Sequence, residues 1–241
     1  MKWRTKISTK KNGSLYIRGK ALSTLTHTAT FTEVSFLLLA ERMPSKKELA
    51  LFDMMLVSAV EHGIEVPSAF SSRTSASVGN ELQVAAAAGL LSVGKYHGGA
   101  VEDAAHMLNS NETPAEIVRR ALGTKVRLPG LGHAFYKKTD PRTEALFKKA
   151  KLLGIPQTHI ARIREIQAEL KKQSGKELPI NIDGALAALL LALKFDPHIA
   201  NGIFALARMP GILAHAVEER THEKPYRRLP DEDVEYYGSK I

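Results

Sequence analysis

A mainly α-helical fold with one short β-hairpin is what this 241-residue sequence predicts. Three observations carry that reading. Apolar residues recur with helical spacing from about residue 30 onward. Helix-start signals stand ahead of those stretches, in Ser45-x-x-Glu48, Thr113-Pro114-Ala115-Glu116 and Asp140-Pro141. Strand-like alternation is confined to residues 5–18, around the turn Lys11-Asn12-Gly13-Ser14.

The hairpin comes first, and Thr30–Ala40, apolar over a wide face, is the next element. The Ser45/Glu48 capping box opens a helix running to about Glu61, which His62-Gly63 closes with glycine after the last turn. Ala69–Leu91 is rich in small residues, which suits helices packed closely in a core. Gly98-Gly99 precedes a helix to about Leu108, and Thr113 opens a short one. Asp140-Pro141 starts a helix to about Leu153, and Pro156 another to about Gln173. Asp183–Lys194 and His198–Ala207 follow, with Pro210 and Pro225 punctuating what remains. No internal repeat, low-complexity tract or long polar linker interrupts the chain.

Composition narrows the function. Hydrophobic residues at 44% against 24% charged fit a folded core and not a disordered chain. The absence of cysteine excludes disulfides, Cys-ligated zinc, iron–sulfur clusters and a cysteine nucleophile. The net charge of +9 fits a nucleic-acid surface, an anionic small-molecule ligand or a plainly solvated basic surface. Aromatics at only 6%, with no zinc-finger or RRM-type pattern, weigh against nucleic acid. No signal-peptide-like stretch follows Met1, and the apolar runs Val84–Val93 and Ala185–Leu193 are too short to span a bilayer. A cytoplasmic location away from membranes is the expectation.

Three acid–base groups stand in glycine-bearing turns: His97 in His97-Gly98-Gly99-Ala100, His133 in Pro129-Gly130-Leu131-Gly132-His133-Ala134, and Asp183 in Asn181-Ile182-Asp183-Gly184. Glycine there lets backbone approach a ligand closely. Each also has a purely structural reading, and Asp183 could simply cap the helix after it. The positive end of a helix dipole disfavours imidazolium at His97, so a neutral ring could polarise a carbonyl. Arg142 sits in a first helical turn, against the dipole, and so needs an anion. Arg208, in an apolar stretch, needs a partner if buried. Lys137-Lys138 and Arg127 make the His133 loop basic, which suits phosphates. The lysines of 148–151 and 171–176 read as solvated faces.

Taken in order, these segments resemble the citrate synthase superfamily. The matching pieces are Glu41-Arg42-Met43-Pro44, Glu61-His62-Gly63, His97-Gly98-Gly99-Ala100, Pro129–Ala134, Asp140-Pro141-Arg142, Asn181-Ile182-Asp183-Gly184 and Asn201-Gly202 through Ala207-Arg208. The stretch between the first two pieces is much shorter than in citrate synthases. That compact form, with the tail Tyr226–Tyr236, resembles stand-alone citryl-CoA lyase and the C-terminal lyase module of ATP-citrate lyase.

The resemblance implies a two-lobed helical fold, with residues 1–100 and 201–241 in a large domain and 101–200 in a small one that closes on ligand. It implies citryl-CoA cleavage to acetyl-CoA and oxaloacetate, catalysed by His97, His133 and Asp183. His97 would hold the enolate oxygen, His133 would accept the citryl hydroxyl proton, and Asp183 would protonate the enolate carbon. His62, Arg142, Arg208 and Arg227 would bind substrate, Arg227 from a neighbouring subunit of a homo-oligomer built from dimers. Leu131, Gly132 and Lys137 would meet coenzyme A, which enters only as part of substrate and product, with no metal and no permanent cofactor. The alternatives are a short citrate-synthase-type enzyme, a lyase for a related 2-hydroxyacyl-CoA, and a non-catalytic CoA-binding partner subunit.

Overall fold

In the computed structural model, which describes residues 2–239, the helical prediction holds over most of its elements. Strands β1 (Ser8–Lys11), β2 (Ser14–Ile17) and β3 (Lys20–Ala21) form an antiparallel sheet in that order. Asn12 and Gly13 turn the hairpin at positive φ, and Ser8 pairs with Ile17 and Lys11 with Ser14. The helices are α1 (Leu22–Thr28), α2 (Phe31–Ala40), α3 (Lys46–Ala59), α4 (Pro67–Ser77), α5 (Leu82–Leu91) and α6 (Ala100–Asn109). After them come α7 (Pro114–Thr124), α8 (Pro141–Leu152), α9 (Thr158–Ser174), α10 (Ile182–Ala192), a 3-10 turn at Pro197–Ile199, and α11 (Ala200–His222). The short helix α1 and strand β3 are not anticipated by the sequence reading. Among the described residues no helix is long and apolar enough to cross a membrane.

The starts of helices follow their caps. Reciprocal capping boxes join Thr30 with Glu33 and Thr113 with Glu116. Ser45 and Glu48 form a third, with Ser45 N–H donating to Glu48 at 2.8 Å and Glu48 N–H to Ser45 Oγ at 3.3 Å. Arg42 grips the same carboxylate from both nitrogens of its fork, and this pairing pulls the Glu48 pKa down to about 2.

One end signal is overridden. The expected stop at Pro210 is absent, and α11 runs through it to His222. Proline removes one amide donor and crowds the preceding turn. Downstream, buried Ile212 and Ala216, and Ser72 Oγ donating to Ile212 O at 3.1 Å, tie the following turns into place. Tertiary packing therefore outweighs the local cost.

The chain divides into two compact units, one made of residues up to Ala59 with Gly98–Ala207, the other of Val60–His97 with the chain from Arg208 onward. The first groups its N-terminal part with later helices because α3 packs on α8 and α10. Its centre is α10, in which every residue except Asp183 is buried. A helix apolar all round has to be a core helix, and α6, α8 and α9 surround it. Phe36, Phe52 and Phe195 close the same core, with ring centroids 4.9–5.4 Å apart.

In the second unit α4 lies against α5. The small residues expected to allow close approach do so: a Cβ on Gly89 would lie 2.6 Å from Ile212 Cγ2 and 2.7 Å from Ser68 O. Arg73 of α4 and Glu219 of α11, both buried, pair at 2.7 Å.

Candidate active site

The residues singled out by sequence fall in both units. Leu131, Gly132, His133, Lys137, Arg142 and Asp183 belong to the first, and His62, His97, Arg208 and Arg227 to the second.

In the first unit, two loops meet backbone to backbone. Gly132 N–H donates to Pro179 O at 2.7 Å and Asn181 N–H to Gly130 O at 3.0 Å, around an antiparallel bridge between Leu131 and Ile180. Asn181 Nδ2 adds a bond to Gly132 O at 2.8 Å. Gly130 takes a φ of +82°, and a Cβ on Gly184 would fall 2.5 Å from Gly130 O and 2.9 Å from its Cα. Only glycine fits at these two positions. Their contact seats the His133 loop on the first turn of α10, where Asp183 stands. The cap of α10 is Asn181, whose Oδ1 accepts from Gly184 N–H at 3.1 Å. The capping role that sequence allowed for Asp183 is thus filled by its neighbour.

His133 is oriented by its own loop. Its Nδ1 accepts from the backbone N–H of Phe135 at 3.0 Å and of Tyr136 at 3.1 Å. Both partners are donors, which favours the neutral tautomer with its proton on Nε2, while Arg142 Nη2, itself only a donor, faces that nitrogen and favours the other. Acceptance of the hydroxyl proton, the role expected of His133, requires Nε2 to be free of its own proton. Accepting at Nε2 would put a proton on Nδ1, against two N–H groups. Burial holds the His133 pKa below its ordinary value, and the charges of Arg142 and Lys137 help it outweigh the opposing pull of Asp140.

The anion that Arg142 needs is Asp140. Arg142 Nε reaches Oδ1 at 3.0 Å and Nη2 reaches Oδ2 at 2.8 Å. The same carboxylate caps α8 by accepting Arg142 N–H at 3.0 Å. Burial alone would raise the Asp140 pKa, but the hydrogen bonds and charge of Arg142 hold it low. Burial opposes the charge on Arg142 in turn, and Asp140, Tyr136 and Asp183 together raise its pKa. Arg142 Nη2 also lies 3.5 Å from His133 Nε2. The Tyr136 ring sits 4.7 Å from that of His133 and 5.9 Å from the Arg142 guanidinium carbon. Leu131 is buried and anchors the loop, while Lys137 Nζ folds back to donate to Ala134 O at 2.8 Å.

In the second unit, His97 closes a tight turn through two backbone bonds with Gly94, each 2.8 Å. Its Nε2 lies 2.8 Å from Ser68 Oγ, on the first turn of α4, and Ser68 is wholly buried. The Ser68 hydroxyl can donate to Nε2, which leaves the ring proton on Nδ1, or accept from it. The His97 pKa is lowered, as expected, but burial is the first cause, followed by the charges of Arg208 and His62.

Arg208 is buried at 4% exposure. The exposed His62 follows Glu61, whose Oε1 accepts His62 N–H at 2.8 Å and Gly63 N–H at 2.6 Å and meets His215 Nε2 at 3.1 Å. Gly211 leaves room for this, since a Cβ there would collide with the Glu61 carboxylate and Val60 O. Arg227 is gripped within its own chain. Its Nε and Nη2 reach the two oxygens of buried Glu219 at 2.8 and 2.7 Å.

Sequence reading missed Tyr136, Ser68 and Glu219, and treated Asp140 only as a cap. Ser68 and Glu219 carry no local signal, because each acts on a residue in another segment. Asp140 was legible through its neighbour, since Arg142 demanded an anion two residues away.

Histidines with lowered pKa values, Arg142 beside His133 and the Arg208 charge acting on His97, suit acid–base chemistry on an anionic substrate. The chain belongs to the citrate synthase family: residues 49–229 match the citrate synthase C-terminal domain. Among solved structures it is similar to citryl-CoA lyase from Hydrogenobacter thermophilus, with 40% identity and a TM-score of 0.94 over 99% of this chain and 96% of that one. Among curated relatives it is 29% identical to ATP-citrate synthase beta chain protein 1 of Oryza sativa over 76% of this chain. It is 33% identical to citrate synthase of Synechocystis over 79% of this chain. The chain spans 33% of the length of the rice protein and 50% of that of the cyanobacterial one.

Proposed function

We propose that this chain is a citryl-CoA lyase, cleaving citryl-CoA to acetyl-CoA and oxaloacetate. The observation that carries the reading is the likeness to the Hydrogenobacter thermophilus lyase, which extends over 99% of this chain and 96% of that one at 40% identity. The chemistry of the site residues supports it. Arg142, Arg208 and Arg227 hold the free carboxylates by charge-assisted hydrogen bonds. His133 donates from Nε2 to the citryl hydroxyl oxygen beside the Arg142 cation, favouring the alkoxide, whose proton passes to water. The alkoxide pair forms the ketone of oxaloacetate as the carbon–carbon bond breaks, and the released pair becomes the acetyl-CoA enolate. His97 donates from Nδ1 to the enolate oxygen, an interaction worth about 3 kcal/mol in comparable oxyanion sites. Asp183, entering as the carboxylic acid, protonates the enolate carbon.

His62 completes the oxaloacetate side, and Leu131, Gly132 and Lys137 belong to the loop that meets coenzyme A. The scheme uses no metal or redox cofactor in its steps. The same reading includes a cytoplasmic homo-oligomer built from dimers, with Arg227 given in trans after leaving Glu219. It also includes ligand-linked closure of the 101–200 segment.

A second reading is condensation and hydrolysis of the citrate synthase type, favoured by the 33% identity to the Synechocystis enzyme. One assay separates them. With citryl-CoA, oxaloacetate release coupled to malate dehydrogenase should consume NADH. No NADH loss, with CoA freed from acetyl-CoA plus oxaloacetate, establishes the synthase reading instead. Binding of CoA with neither turnover leaves a non-catalytic partner subunit.

A further inference from the structure

We propose that Glu102, His106 and His198 form a binding site for a divalent transition-metal ion of the Zn²⁺ type. The proposal is independent of the lyase reading and uses none of the groups in that scheme. Glu102 and His106 stand one turn apart on the same face of α6, and His198 lies in the 3-10 turn that packs on that helix. Glu102 Oε1 is 3.8 Å from His106 Nε2 and 3.6 Å from His198 Nδ1. All three ligand atoms lie within 4.8 Å of one another.

A tetrahedral ion with bonds of about 2.0–2.1 Å needs donor atoms roughly 3.3–3.5 Å apart. Two of the three separations are within a few tenths of an ångström of that, and the third, at most 4.8 Å, closes by rotation of the exposed rings. The backbone under two of the three ligands is already pinned by side chains. Glu102 N–H donates to Asn201 Oδ1 at 3.0 Å, and His198 N–H donates to Asp196 Oδ1 at 2.9 Å. The two imidazoles meet edge to face with centroids 4.5 Å apart.

Two imidazoles and one carboxylate suit Zn²⁺, Ni²⁺, Co²⁺ or Cu²⁺ and not the hard, oxygen-seeking Mg²⁺ or Ca²⁺. Three protein ligands leave a fourth position for water. An ion there would clamp α6 to the turn that leads into α11, stabilising the first unit.

The test is titration of the chelator-treated, tag-free full chain with Zn²⁺ by calorimetry, and with Co²⁺ followed by visible absorption. The expected result is one ion per chain, a visible Co²⁺ band displaced by Zn²⁺, and a Zn²⁺-dependent rise in melting temperature. His198→Ala and Glu102→Gln should each weaken Zn²⁺ binding by about tenfold or more, with the metal-free melting temperature unchanged. His222→Ala, elsewhere on the surface, should leave binding intact. Equal Zn²⁺ affinity in the wild type and His198→Ala, no Co²⁺ band, or Mg²⁺ competing as well as Zn²⁺ would each overturn the site.

Discussion

The two histidines singled out by sequence, His133 in the first unit and His97 in the second, are held in opposite ways. His133 is wired locally, with Nδ1 filled by amides two and three residues further on and Arg142 beside it nine residues away. Its loop rests on α10 through a glycine-to-glycine contact. His97 is wired at long range, with Nε2 engaged by Ser68 from another helix and its pKa depressed by burial and by Arg208, far along the chain. Each ring has its pKa held below the ordinary value, which favours the neutral imidazole. A backbone-wired ring depends on the path of the loop, and a side-chain-wired ring depends on one partner.

Breaking the backbone contact should have the largest effect. Gly184→Ala places a Cβ 2.5 Å from Gly130 O and 2.7 Å from Ile163 Cδ1. We expect about 1–3 kcal/mol of destabilisation and a loss of turnover of about a hundredfold or more, because Asp183 and His133 lose their relative placement. Melting curves and steady-state kinetics check this, with Gly202→Ala as control. Gly202 has open space around it inside α11, so alanine there should stabilise by about 0.5–1 kcal/mol. A Gly184→Ala protein as stable and active as the wild type would remove the proposed contact from the site's design.

The local ion pair is the next level. Asp140→Asn keeps a capping oxygen but takes the anion from Arg142. Stability should fall by about 2–3 kcal/mol, and kcat/KM for the thioester by about tenfold to a hundredfold, through misplacement of Arg142. A change confined to melting temperature would make Asp140 structural only.

The side-chain wiring of His97 gives the smallest and most specific effect. Ser68→Ala should lower kcat about tenfold with KM nearly unchanged, and ring-nitrogen NMR should show His97 losing its Nδ1–H preference. Its folded pKa lies below the ordinary 6.5. On acidification the unfolded chain therefore takes up the proton first, and stability is lost as pH falls from 6.5 toward the folded value. The acid limb of activity should accordingly lie below pH 6.5. Arg208→Gln removes one depressing charge, so the His97 titration seen by NMR should move upward. An unchanged or lower value would contradict the electrostatic account.

Much of this was legible in the sequence where the physics is local. Asn12-Gly13 forced the hairpin turn, Ser45, Thr113 and Asp140 announced their helices, and the apolar run after Asp183 announced a core helix. Arg142 in a first turn implied an anion, and Asp140 is there. The resemblance to the citrate synthase family was carried by short ordered motifs of the same local kind, and the family match confirms it.

Only the tertiary structure decided the rest. Helix α11 passes Pro210 because Ile212 and Ser72 hold its next turn. Asn181, and not Asp183, became the cap because the neighbouring loop also uses its amide. His133 has its Nδ1 filled by two amides, and His97 has its Nε2 engaged by a serine 29 positions away. Spacing along a chain states which residue types can cap, turn or alternate. Which nitrogen carries a proton, and which carboxylate answers a given arginine, depends on atoms brought together by folding, at separations that periodicity does not record.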